Sequence, residues 1–173
     1  SVGNYIMAGL TFSTTRTIVS VVDSKGNTYA LQQNRAAGGG VQFSVYTAVC
    51  TSAIAPGDTL TVTFDSTYWF VRCARIFELS NVAAVDAVGN SQGYTLTPSR
   101  SLTRTGRALV FGLIAFSFSP TTFTAPNGTE ISHALASTTM LVVYKQTDIA
   151  ATVTVGGTID SLDNCGTIAI AFR

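Results

Sequence analysis

Charge is what this chain has least of. Ten of its 173 residues are lysine or arginine and nine are aspartate or glutamate, 11% in all, where globular proteins average roughly 25%. The net charge of +1 exerts no general pull on nucleic acid or an acidic membrane, and neither is expected as a partner. Thr, Ser, Asn, Gln and Gly are abundant instead. So neutral an exterior is expected to meet other protein over much of its area, because a free monomer normally keeps more charge for solubility.

Other shortages narrow the chemistry. His133 is the only histidine; it cannot build a histidine-based metal site by itself and reads as a loop residue. The cysteines Cys50, Cys73 and Cys165 are odd in number and show no C-x-x-C or Cys/His pairing, so neither a disulfide framework nor a zinc site is expected. Each lies in or beside an apolar run and reads as a buried free thiol, with a Cys50–Cys73 bridge open if their strands are neighbours. With no signal-peptide pattern and no apolar run long enough to span a bilayer, the chain is expected to be soluble. No cofactor is implied, and the length suits a single domain, residues 1–173, with a core that needs no staples.

What the chain does have is strand signal. In Pro56 to Leu79, Leu60, Val62 and Phe64 alternate with Thr59, Thr61 and Thr63, the period of two of a half-buried strand. Pro56-Gly57-Asp58 is turn chemistry. Trp69 to Glu78 reads as a second, adjacent strand, central in its sheet, so that the two form a hairpin carrying the largest side chains. Asn4 to Phe12 and Thr17 to Val22 are strands. Asp23 to Asn27 is a tight turn from which Thr28 to Leu31 returns as a hairpin. Asn34 to Gly40 reads as flexible, and Val41 to Cys50 as a strand.

Ser80 to Ser91 is the least strand-like part and suits a short helix or a surface crossing. Tyr94 to Leu96 and Ser101 to Thr103 are short strand candidates, Arg107 to Phe118 a buried strand and Pro120 to Ser137 a long loop. Thr139 to Gln146, Ala151 to Val155 and Gly166 to Phe172 close the chain. This rhythm implies an all-β, antiparallel β-sandwich, jelly-roll or Ig-like, with little helix.

Several constellations could carry function. Gly89-Asn90-Ser91-Gln92-Gly93 matches a G-x-S-x-G nucleophile elbow, but neither flank supplies the required strand before and helix after, so no enzyme is expected. Asp160, Asp163 and Asn164 lack the regular spacing of a calcium loop, and capped turns are the better reading there and at Asp23 to Asn27. Arg100, Arg104 and Arg107 form the one basic cluster. On a strand Arg100, Leu102 and Arg104 share a face, which favours a subunit contact or solvated edge over nucleic acid. Tyr29, Tyr46, Tyr68, Tyr94 and Trp69 could include a sugar-stacking platform, although core packing is the default for most of them. Asn127-Gly128-Thr129 is a glycosylation sequon without a secretory context.

The order VVDSKGNTYAL, VQFSVYTA, IAPGDTLTVTFD, ARIFELSNVAAVDAVG and GTIAIAF resembles β-sandwich modules of phage and prophage virion proteins and of bacterial surface proteins. The turn from Asp23 to Tyr29 and the segment Ile54 to Phe64 carry the likeness, which covers nearly the whole chain. A tryptophan often found in the last strands of such modules is absent near Asp163 to Cys165. The resemblance implies a non-enzymatic virion structural protein, such as a capsid decoration, fibre or tail-surface module, assembled in the host cytoplasm. It would pack against itself, most simply as a trimer, and against other virion proteins. Tyr68, Arg72, Arg100, Arg104 and Arg107 are the interface candidates. The alternative is a carbohydrate-binding or adhesive module, extracellular or on a cell surface, with a surface glycan as partner.

Overall fold

The computed structural model describes residues 1–66, 71–117, 122–125, 129–132 and 140–173, with the side chains of 71, 72 and 129–132 outside the description. Its strands are β1 (Tyr5–Ser13), β2 (Ile18–Asp23), β3 (Ala30–Gly38), β4 (Val41–Val49), β5 (Leu60–Phe64), β6 (Val71–Leu79), β7 (Val85–Thr95), β8 (Ser99–Arg104), β9 (Ala108–Phe116), β10 (Phe123–Thr124), β11 (Thr129–Ser132), β12 (Met140–Thr147), β13 (Ala151–Gly156), β14 (Thr158–Ile159) and β15 (Asp163–Phe172). All pairings are antiparallel. There is no helix among the described residues, and the fold is an all-β sandwich, as the strand rhythm implied.

The organisation follows from strands that are apolar on both faces. β1 carries Ile6, Ala8, Leu10 and Phe12 on one side and Met7, Gly9 and Thr11 on the other, and its whole middle is buried. β9 and β15 are the same kind of strand. Such strands require cover above and below. β1 lies inside a four-stranded sheet of order β3-β4-β1-β6, and β9 and β15 inside a five-stranded sheet of order β11-β12-β9-β15-β7.

The two sheets face each other across Met7, Val41, Phe43, Val45 and Leu79 on one side and Phe111, Leu113, Met140, Val142, Ile168, Ile170 and Phe172 on the other. Each outer face is then closed by a two-stranded ribbon. β2 and β5 cover the first sheet, placing Ile18, Val21, Leu60, Val62 and Phe64 over Leu10 and Phe12. β8 and β13 cover the second, placing Leu102, Val153 and Val155 over Ile114, Leu141, Val143 and Ala169, with Phe123 and Ile159 of the β10–β14 pair alongside. The sandwich therefore has four layers.

The two halves of the chain run alike. β1 to β6 go sheet, ribbon, sheet, sheet, ribbon, sheet; β7, β8, β9, β12, β13 and β15 repeat that sequence, with β10, β11 and β14 as short additions. The second and fifth strands of each half make its ribbon.

This arrangement corrects several expectations. Leu60 to Phe64 and the following strand do not form a hairpin: β5 pairs with β2, and β6 pairs with β1. β6 is an edge strand among the described residues, not a central one. Thr28 to Leu31 does not return against β2 either; a single bridge, Val22 to Thr28, marks that turn, and β3 departs to pair with β4. Alternation tells which face of a strand is apolar but not which strand lies beside it, and covering Leu10 and Phe12 selects β2 with β5. Asn34 to Gly38 continues β3, and Val85 to Ser91 belongs to β7 where a helix or crossing was expected. Trp69 and His133 lie outside the described residues.

None of the three cysteines is in a disulfide. Cys50 is bonded through its backbone N–H to the Asn4 carbonyl, whereas Cys73 stands opposite Thr11. About seven residues of extended strand, roughly 23 Å, separate those two positions, which rules out the Cys50–Cys73 bridge. Cys50 and Cys165 are buried, and burial together with the neighbouring Asp163 pushes the Cys165 thiol up to about 12. Thiol titration of the native protein should therefore read Cys73 alone, and all three only after denaturation; three reactive native thiols would contradict the placement.

The gap between the sheets also leaves no spare volume at Gly166. A Cβ there would stand 2.3 Å from the Phe43 ring and 3.2 Å from the Ala37 backbone. Gly166→Val is expected to lower unfolding stability by about 1–3 kcal/mol in a urea titration.

Candidate interaction surfaces

The basic cluster is dispersed by the fold. Arg100, Leu102 and Arg104 do share one face of β8, but that face is turned toward the chain's own five-stranded sheet. Arg104 is 4% exposed and ion-paired with Asp86, which leaves it almost no surface to offer a partner. Arg100 lies against Gly89 of β7, where an added Cβ would meet its Nε at 2.8 Å. Arg107 sits apart, in the turn before β9, with its Nε 3.1 Å from the Asp148 carboxylate and both side chains well exposed. An ion pair so open to water contributes little to stability. Tyr68 falls outside the described residues, and Arg72 is placed only by its backbone, in β6.

The G-x-S-x-G stretch is extended strand within β7, and the Ser91 hydroxyl donates to the Ser99 carbonyl at 2.6 Å. That is not an elbow. Asp163 begins β15, buried, and accepts a hydrogen bond from the Ser117 hydroxyl. No three His, Cys, Asp or Glu side chains converge on a metal-sized site among the described residues.

Asp23 and Asn27 form a capped turn. The Asp23 carboxylate accepts from the backbone N–H groups of Lys25 and Asn27, from Asn27 Nδ2 and from the Tyr29 hydroxyl. Asn27 Oδ1 in turn accepts from Thr51 and Ser52, so the turn after β2 is tied to the segment after β4. Burial pushes the Asp23 carboxyl up, but the hydrogen bonds from Asn27, Tyr29 and Lys25 outweigh it and hold the group below the ordinary aspartate value. Burial and Asp23 together raise the Tyr29 hydroxyl.

Among the described residues the tyrosines do not share a platform. Tyr29 and Tyr46 pack beneath the β2–β5 ribbon, and Tyr94 stands 65% exposed at the end of β7. Of the concavities, one of about 460 Å³ lies at the sandwich end and is lined by Ser80, Asn81, Arg107, Gln146 and Arg173. Another, about 480 Å³, is lined by Tyr5, Thr28, Gln32, Thr47 and Thr51. Neither includes an acid, a histidine or a cysteine among its described residues.

More informative are the sheet edges. β3 and β7 lie side by side on one flank, and neither pairs on its outer side among the described residues. Gln92, Gly93 and Tyr94 of β7 are exposed. Sequence reading placed this stretch under the elbow motif and a short strand; the available signal was a long neutral run free of lysine and proline.

No family model matches the chain, and neither a curated protein nor a solved structure shows significant similarity to it.

Because the folded state favours the Asp23 carboxylate, its contribution to stability is full above the unfolded aspartate pKa of about 3.9 and is lost as pH falls through the lower folded value. Asp23→Ala, which strands the donors around it, is expected to cost about 1–3 kcal/mol at neutral pH. It should also flatten the acid limb of stability measured by urea titration from neutral to acidic pH.

Proposed function

We propose that the chain is a non-enzymatic structural module of a virion or similar particle, a capsid decoration, fibre or tail-surface protein, that acts through self-assembly and contacts with other shell proteins. The supporting observation is a sparsely charged exterior around a core closed by the chain itself. Both sheets are covered on their outer faces by the chain's own ribbons, so the exterior is not needed to complete the fold. Yet Val19, Leu31, Ile76, Tyr94, Ile149 and Leu162 remain strongly exposed on a chain with 11% charged residues. Apolar side chains on so neutral a surface suit repeated contact with other protein.

The turn motifs from Asp23 to Tyr29 and Ile54 to Phe64 add the particle context by their resemblance to virion sandwich modules. A rigid body with neutral hydroxyl- and amide-rich edges can repeat the same weak contact around a closed ring, for which a trimer or another cyclic oligomer is the simplest form. Light scattering behind a sizing column, over a wide range of concentration, should give a discrete multiple of the chain mass. A mass that stays at one chain throughout would contradict the proposal.

A further inference from the structure

We infer that β7 is the self-assembly strand, and that a second copy of this chain pairs its own β7 antiparallel against the open edge, joining two five-stranded sheets into one. The inference rests on the self-assembly proposed above and gives its cyclic form as a two-fold dimer instead of a trimer, because an isologous contact closes at two copies.

An edge strand exposes a row of unsatisfied N–H and C=O groups, and chains that remain monomeric usually blunt it with lysine, proline, bulges or brevity. β3, the neighbouring edge, shows such protection: its register shifts twice against β4, between Leu31 and Gln33 and between Ala36 and Gly38, and it carries the exposed Arg35. β7 shows almost none. It is 11 residues long, about twice the usual length. From Ala87 to Thr95 it runs in unbroken register against β15, the one shift falling at its start. It contains neither lysine nor proline, and its single charge, Asp86, is taken up by the buried Arg104.

That last point selects the occupant. Two copies of β7 facing each other bring together no unpaired like charge from the strand itself; the exposed Arg100 nearby belongs to β8 and lies over the sheet face at Gly89. Antiparallel pairing about a two-fold axis makes the contact isologous, with the same residues on both sides. The chemistry exposed at the C-terminal part of the strand suits close approach: a Cβ added at Gly93 would meet nothing within 4 Å, and Gln92 and Tyr94 are exposed beside it. Addition of a strand uses main-chain hydrogen bonds, which a neutral, glycine-containing edge leaves accessible.

The test is light scattering of the wild type, Gly93→Lys and Tyr94→Lys, with Thr61→Lys on the β5 ribbon as a control of equal charge. Both Gly93 and Tyr94 are open to solvent, so the monomer tolerates lysine; unchanged circular dichroism verifies this. Lysine at either β7 position should raise the dissociation concentration at least about tenfold, and Thr61→Lys should leave it unchanged. A wild type that assembles while both β7 variants assemble equally well overturns the edge inference and leaves the self-assembly reading standing. A wild type that is monomeric throughout overturns both. Should either variant misfold, hydrogen exchange of the wild type decides: amides within Val85–Thr95 slow on concentration if the inference holds, and their indifference to concentration overturns it.

Discussion

The burial of both faces of β1, β9 and β15 is the constraint from which the rest of the structure follows. An ordinary sandwich buries one face of each sheet. Here Leu10 and Phe12 on the outer side of β1, and Ile114 and Ala169 on the outer side of the second sheet, are as apolar as the residues between the sheets. Leaving those faces in water would forfeit roughly 1.5–3 kcal/mol for each large side chain. The ribbons β2–β5 and β8–β13 prevent this, with Thr61, Thr63, Ser101, Thr103, Thr152 and Thr154 on the outward side of β5, β8 and β13, while β2 leaves Val19 and Val22 exposed there. The repeated order of sheet and ribbon strands in the two halves solves the same problem twice.

Much of this was legible in the residues. The alternation in Leu60 to Phe64 identifies a strand with one dry face, and the long apolar runs around Val110 and Ile168 identify strands dry on both. What period-two patterning cannot encode is the partner, so β5 was assigned to the strand after it instead of to β2. Only the Tyr94–Thr95 end of β7 reads as strand in the sequence, because the Ala, Gly, Asn and Ser before it have weak strand preference. β7 is a strand because β15 pairs with it and because Gly89 lets Arg100 and Leu102 lie close above it. Local propensity loses there to tertiary packing.

The candidate residues divide along similar lines. That Arg100, Leu102 and Arg104 share a face follows from spacing alone; that Leu102 and Arg104 are buried while Arg100 stays exposed depends on where β8 crosses the sheet, which spacing does not contain. Asp86, the group that neutralises Arg104, is distant in sequence and belongs to a stretch read as something other than strand. The same ion pair that buries the arginine leaves the β7 edge without net charge, so one interaction links the closure of the core to the character of the exterior.

A closed inner pair of sheets with separable outer ribbons is the feature on which the other properties of the molecule rest. Native-state hydrogen exchange under increasing denaturant measures it residue by residue. Amides in the middle of β1, β9 and β15 are predicted to exchange only through global unfolding, while those of β2, β5, β8 and β13 open at lower free energy. Ribbon amides as well protected as those of the inner strands, or inner strands that open first, would contradict this order.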